Sequence, residues 1–421
     1  MNVNHSQSLQ SSQLLQLRQF AGASVLLLQG PVGHFFDRVA TQLNKAGVKA
    51  TVKVNFNGGD QWFYSHRAVN YRGTRLAWPS FCENLIKEHA VDAVLLFGDC
   101  RPLHQAAIQV AQALGVQVWV FEEGYIRPNY VTLEQHGVNG FSRLPKDPDF
   151  YREHTVVPLP LEQPVGATFG SAAKQAMAYY TAAALAWPFY FRYQHHRTLS
   201  MLDGLRWVRS YWRKLYFRRA ESGVQDTLCT VENKRFFLVI LQASLDSQVR
   251  FHSHYSSVGE FMDEVATSFA KSAPDNCTLV FKHHPIDRGY SNYAAAIKQL
   301  KQRLGLHGRV RYIHDQHLPT LLAHARGVVA INSTVGLSAL DFATPVKVTG
   351  KAVYNMEGLT YQGSLDDFWQ ATSTWTPDAE LYDKFKNYVI ANTQINGNIY
   401  KPLSFSAVDE APQPLLKESL G

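Results

Sequence analysis

Residues 310–348 read VRYIHDQHLPTLLAHARGVVAINSTVGLSALDFATPVKV. Val310–Ile313 is a short apolar run, Leu318–Ala325 has the spacing of a short helix, and Val328–Ile331 is a second apolar run. Val335–Phe342 reads as another helix and Pro345–Val348 as a third strand. Strands alternating with amphipathic helices imply a parallel sheet, which binds ligands beyond the carboxyl ends of its strands. The same rhythm extends upstream through strands at Arg235–Leu241 and Thr278–Phe281 and helices at Val258–Ser272 and Tyr293–Leu304. It recurs in the first half, with strands at Val25–Leu28, Val48–Phe56, Ala93–Phe97 and Val116–Phe121 separated by helices at Phe35–Ala46, Phe81–His89 and Leu103–Leu114.

A chain of 421 residues exceeds one comfortable hydrophobic core. The expected fold is therefore α/β: two doubly wound Rossmann-type domains, 20–157 and 232–365, facing a cleft. A helical insert at 158–231 separates them, and a helical tail at 366–421 is expected to return to the first domain. With 46% hydrophobic and 18% charged residues, the composition is that of a globular protein and not a disordered one. The net charge of +7 favours anionic partners without choosing among nucleotide phosphates, lipid headgroups and nucleic acid. Cys82, Cys100, Cys229 and Cys277 are too scattered for a zinc knuckle or a redox pair, which fits a reducing, cytoplasmic compartment. Met1–Gln19 is rich in Gln and Ser and lacks the pattern of a secretory signal.

The insert has two parts. Gln175–Phe191 is uncharged but short for a bilayer span and interrupted by Pro188. Arg192–Arg219 carries eight Lys/Arg against one acid, Asp203, interleaved with aromatics. At 100° per residue, Leu205, Val208, Tyr211, Trp212, Leu215 and Tyr216 share one side, with Arg206, Arg209 and Arg213 beside them. A basic, aromatic, amphipathic helix suits an anionic membrane surface, with Arg206, Arg209, Trp212 and Arg213 as its contacts. An interdomain helix with solvated arginines is the competing reading. Nucleic acid is disfavoured because the aromatics share a face with apolar residues.

Three motifs sit at strand ends. Glu122 and Glu123 close the Val116–Phe121 strand and point to opposite faces, so only one readily addresses a given cleft. Such a carboxylate serves as a nucleophile, as a general base, or merely as the partner of Arg127. Lys282-His283-His284-Pro285 offers phosphate donors at the next sheet, and adjacent histidines without a recurring third ligand make zinc a poor fit. Asn332-Ser333-Thr334 precedes a helix, where hydroxyls either cap or help to bind phosphate. Gln242, Asp246 and Gln248 follow the first strand of the second half and either line the same cleft or form a polar loop. Gly30-Pro31-Val32-Gly33 lacks a dinucleotide fingerprint, and no metal-binding Asp-x-Asp accompanies a nucleotide site.

The stretch FEEGYIRPNYVTLEQHGVNGFSRLP (121–145), followed by FKHHPIDRG (281–289) and INSTVGLSAL (331–340), resembles the capsule polysaccharide synthesis family that includes KpsS and LipB. The resemblance covers about Val25 to Trp369. It implies a GT-B-like β-Kdo glycosyltransferase that takes Kdo from CMP-Kdo, without a metal or other cofactor. The acceptor it implies is lysophosphatidylglycerol at the cytoplasmic face of the bacterial inner membrane, with a KpsC-type transferase as a further partner. His284 and Pro285 match a His-Pro motif, and Ser333 and Thr334 a Ser/Thr motif, that hold the CMP portion in related transferases. Lys282, His283, Asn332, Gln242 and Arg127 are added as candidate binders of phosphate or the sugar carboxylate. The sibling family has Glu-Asp-Gly where this chain has Glu122-Glu123-Gly124, which makes Glu123 the implied catalytic carboxylate and, given retention, the nucleophile. A sialyltransferase-like enzyme using another CMP-sugar and a non-catalytic export or scaffold protein are the alternatives.

Overall fold

The computed structural model describes residues 17–195, 203–243 and 247–401. Asp246 and most of Met1–Gln19 lie outside the described residues, as do the junction at 196–202 and the tail beyond 401. The first sheet is built from β1 (Ser24–Leu27), β2 (Ala50–Asn55), β3 (Ala68–Asn70), β4 (Ala93–Phe97), β5 (Gln117–Glu123) and β6 (Tyr130–Gln135). The second contains β7 (Phe236–Ile240), β8 (Thr278–Lys282), β9 (Val310–Ile313), β10 (Gly327–Ala330) and β11 (Val346–Val348), and β12 (Gln394–Asn396) returns to the first.

The first sheet is ordered β12-β6-β5-β4-β1-β2-β3 and the second β11-β10-β7-β8-β9. Every pairing in the second sheet is parallel, whereas β6 and β12 run antiparallel at one edge of the first. The strands are short, apolar and buried on both faces, as parallel strands covered by helices must be. In the first unit one face packs Val25, Leu27, Leu95 and Phe121, and the other packs Leu26, Val94, Val118 and Val120. These are the two faces produced by alternation along β1, β4 and β5. The two-sheet α/β architecture expected of the GT-B-like class is therefore present.

The chain divides into two compact units. The first comprises residues 1–143, 156–196 and 387–421; the second comprises 144–155 and 197–386. The expected insert at 158–231 is thus shared between the units and is not a body of its own. The expected tail is split as well: residues 366–386 stay with the second unit, and the return to the first is made by a strand, β12.

The uncharged run forms the Phe169–Leu185 helix, which docks on the glycine turn at 58–59. A Cβ at Gly58 would lie 2.5 Å from the Ala182 carbonyl oxygen, and one at Gly59 would lie 2.6 Å from the Tyr179 ring. Tyr179 is buried there, donating to Asp60 Oδ1 at 2.8 Å and accepting from Asn57 Nδ2 at 2.8 Å. Among the described residues no helix is long and apolar enough to cross a membrane.

Candidate functional site

The carboxyl rim of the first sheet carries the acid pair. Glu122 extends β5 on the Val120 face and Glu123 on the Phe121 face. Glu122 Oε1 accepts the Glu123 N–H at 2.9 Å. Burial pushes the Glu122 carboxyl up to about 7, helped by Glu123 and Asp99 and opposed by Arg101. Glu123 is exposed and pairs with Arg127 at 2.8 Å, while Arg127 Nε donates to the Gly124 carbonyl at 3.3 Å. Arg127 therefore serves its own turn in this structure.

Gly124 is required for close approach: a Cβ there would lie 2.2 Å from the Tyr130 carbonyl oxygen. Tyr125 locks the turn from beneath. Its N–H donates to Gln394 Oε1 at 3.0 Å and to Thr132 Oγ1 at 3.2 Å, and its hydroxyl donates to Glu134 Oε1 at 2.5 Å. The strand-end motifs alone do not point to Tyr125, Glu134 and Gln394 as supports of the acid pair. Tyr125 and Glu134 stand nine residues apart within the motif stretch, whereas Gln394 joins only through the returning strand.

The carboxyl rim of the second sheet carries the basic and hydroxyl motifs. Registers align Ala330 with Ile240, Ile240 with Lys282, and Lys282 with Ile313. The residues that follow, Asn332 to Thr334, Gln242, His283 to Pro285 and His314, therefore share one rim. The strand order reverses between β7 and β10, so Gln242 and Asn332 flank the switch point. The side chain of Gln248 is not among those described.

Half of the basic motif turns inward. Lys282 is buried and donates to the His314 carbonyl at 3.0 Å, and burial lowers its pKa. His283 is buried with Nδ1 2.7 Å from the Tyr312 hydroxyl; burial first, then the neighbouring His314 and Arg213, lowers it to about 3. His284 is half-buried and its Nδ1 accepts the Ile286 N–H at 3.3 Å, which caps the turn at Pro285–Gly289. Pro285 is exposed.

Ser333 and Thr334 open a helix of six residues, Val335–Leu340, which is shorter than expected. Ser333 Oγ accepts the Val335 N–H at 3.3 Å, while Thr334 makes no side-chain cap. Asn332 Nδ2 donates to the His252 carbonyl at 3.4 Å, and Tyr354 donates to the Ser333 carbonyl at 2.5 Å. Gly336 makes room for that phenol, since a Cβ there would lie 2.1 Å from it.

The basic helix spans Asp203–Ala220 and packs on this rim. A Cβ at Gly289 would lie 2.4 Å from the Arg206 carbonyl oxygen, Arg213 donates to the Ser291 carbonyl at 2.9 Å, and Phe217 stacks on His314. The Arg206 guanidinium covers the Tyr290 ring at 5.2 Å. Arg206 and Arg213, expected as membrane contacts, thus face the protein. Trp207, Tyr211, Trp212, Leu215 and Tyr216 face outward with Arg209, Lys214, Arg218 and Arg219.

Comparison with known proteins adds the following. The family described as "Capsule polysaccharide biosynthesis protein" matches residues 92–400. The chain is 43% identical over 385 residues to "Capsule polysaccharide export protein KpsS" of Escherichia coli, covering 90% of this chain and 97% of that one. It is 40% identical to "Capsule polysaccharide modification protein LipB" of Neisseria meningitidis serogroup A, covering 91% and 93%. Among solved structures, "Thermosulfurimonas dismutans KpsC, beta Kdo 2,7 transferase" aligns with 87% of this chain and 99% of that one, at 16% identity and a TM-score of 0.37.

Proposed function

Since the chain belongs to the capsule polysaccharide biosynthesis family of KpsS and LipB, we propose that it is a β-Kdo glycosyltransferase. It takes Kdo from CMP-Kdo and places it on lysophosphatidylglycerol, beginning the poly-Kdo linker of a capsule. The observation that carries this reading is the unequal pair of carboxyls at the end of β5. A nucleophile must be ionised, and an acid or base works best with a pKa near the working pH. Glu123, exposed beside Arg127, suits the first role, and Glu122, raised to about 7, suits the second.

In the first displacement a Glu123 oxygen bonds to the anomeric carbon, the bond from that carbon to the phosphate oxygen breaks, and CMP departs. In the second, the acceptor hydroxyl bonds to the same carbon and the Glu123–sugar bond breaks. The hydroxyl proton passes to ionised Glu122. Two inversions give net retention. His284, Pro285, Ser333 and Thr334 hold the CMP portion, with Asn332 and Gln242 beside them at the switch point. Lys282 and His283 support that rim from within.

The outward aromatics and cations of the Asp203–Ala220 helix give the enzyme a face for an anionic bilayer at the cytoplasmic side of the inner membrane. There it works beside a KpsC-type transferase. Each cation near such a surface contributes about 1 kcal/mol, so Arg209, Lys214, Arg218 and Arg219 suffice without a spanning helix.

The test is CMP release and product mass from purified protein, CMP-Kdo and lysophosphatidylglycerol. One added Kdo with wild type and none with Glu123→Ala is expected. No product in either, with CMP-sialic acid equally inert, would favour the scaffold reading; product from CMP-sialic acid alone would change the donor.

A further inference from the structure

A cavity of about 210 Å³ lies at the carboxyl end of the first sheet. Its walls include Gln29, which follows β1, and Arg101 and His104, which follow β4. β1 and β4 are neighbours from which the strand order departs in opposite directions. The cavity therefore occupies this sheet's topological switch point, where ligands of open α/β sheets bind. No residue of the three strand-end motifs lines it.

Its chemistry is lopsided. Arg75, Arg101 and Arg192 converge on it from three segments, and no Asp or Glu lines it among the described residues. Arg101 is fixed, with Nη1 donating to the Gly30 carbonyl at 3.0 Å. Gln29 is 4% exposed and is held by Asp60 at 3.0 Å and by the Tyr193 hydroxyl at 2.9 Å.

His104 closes the wall behind these donors. It is 1% exposed, and its Nδ1 lies 2.8 Å from the Gly98 carbonyl oxygen, to which it donates. Its other nitrogen has almost no accessible surface, so it backs the cavity without reaching a ligand. A cavity of cationic donors without a carboxylate fits a phosphate.

Two neighbours narrow the ligand further. A Cβ at Gly98 would lie 3.6 Å from Glu122 Oε2 and 3.8 Å from Arg101 Nε, so the arginine wall adjoins the acid pair. Beside Arg192, Trp187, Phe189 and Phe191 are more than half exposed. The Arg192 guanidinium lies 5.2 Å from the Phe191 ring centre, and that of Arg72 lies 5.6 Å from that of Phe189. A charged cleft with an apolar ridge at its edge is matched by an amphiphile.

We propose that this cavity seats the phosphoglycerol end of the lipid acceptor: Arg75, Arg101 and Arg192 take the phosphate, and the Trp187–Phe191 ridge meets the acyl chain. The proposal rests on the acceptor reading above and adds where and how that acceptor is held. A nucleotide could offer the same phosphate, so the test separates the two sources.

Binding of glycerophosphoglycerol, CMP and inorganic phosphate to the full chain is measured by calorimetry, without turnover. Arg75 and Arg192 are exposed, so the Arg75→Gln/Arg192→Gln double variant should fold. It is expected to weaken glycerophosphoglycerol at least tenfold and to leave CMP unchanged. Equal weakening of CMP would make the cavity a nucleotide site and overturn the proposal, as would undiminished glycerophosphoglycerol binding or none in the wild type. An inactive enzyme that still binds the headgroup here would sink the transferase reading alone.

Discussion

In the first unit the motif after β5 divides its polar groups, with Glu122 taken inward and Glu123 left at the surface. In the second unit the motif after β8 takes both Lys282 and His283 inward and leaves only His284 and Pro285 toward solvent. Both motifs close a strand that has a parallel neighbour, and both contain adjacent ionisable residues. Burial has opposite consequences for them. It holds a proton on a carboxyl near neutrality, which creates an acid–base group, and it lowers the pKa of an imidazole and an ammonium that are turned inward onto a hydroxyl and a carbonyl. The difference lies in what covers each rim, not in the motif itself.

The comparison breaks most directly at Glu123. Glu123→Ala should lower Kdo transfer by about 10⁴-fold, in the range found when a nucleophile or its partner is removed. Transfer that survives this change but fails in Glu122→Ala would exchange the two roles. A large structural effect is expected at Gly124→Ala, because the new Cβ meets backbone 2.2 Å away. About 2–4 kcal/mol of stability should be lost, read by chemical denaturation.

On the second rim, His283→Ala and His284→Ala should separate. The first removes the histidine partner of the Tyr312 hydroxyl, leaving it only the Tyr293 N–H at 3.4 Å, and should cost about 1–3 kcal/mol of stability. The second should raise the KM for CMP-Kdo with a smaller loss of stability. Equal KM effects would mean that His283 reaches the donor.

The pH dependence of Glu122 sharpens the first rim. The folded-state pKa is raised from 4.5 to about 7, so the folded chain keeps a proton that the unfolded chain releases. Stability contributed by this group is therefore full below pH 4.5, falls between pH 4.5 and 7, and is flat above. Glu122→Gln lacks that titration, so its melting temperature relative to wild type should climb across the same window. A constant difference from pH 4 to 8 would contradict the raised carboxyl. The smallest effect belongs to Arg127→Gln, which breaks a half-exposed ion pair and should change stability by less than about 1 kcal/mol.

Much of the fold is legible in the chain because its strands are apolar and its helices amphipathic. β1, β2, β4, β5 and β7 to β11 all lie where the alternation places them, within a few residues. β3 and β12 have three residues each, too few to set a period, and β6 is hidden inside the motif stretch. Alternation along β5 shows that Glu122 and Glu123 face apart. Which one is covered depends on Gly98–Arg101 at the neighbouring strand end, and that is a tertiary fact.

The basic helix misleads for a different reason. Its inward stripe, Arg206, Ser210, Arg213 and Phe217, is largely polar and works through hydrogen bonds and stacking, while its tryptophans face out. Apolar periodicity finds the stripe but not which side the protein occupies. The Arg101–His104 wall carried only one faint signal, an Arg-Pro pair opening a helix directly after a buried strand.

The most direct test of the division between the two carboxyls is a trapping experiment. Glu122→Gln protein is mixed with CMP-Kdo in the absence of acceptor, and its intact mass and peptide masses are measured. One Kdo residue on the peptide bearing Glu123, absent when Glu123 is also replaced by Ala, is the predicted result. CMP release without any adduct, or an adduct mapped to another residue, would contradict it.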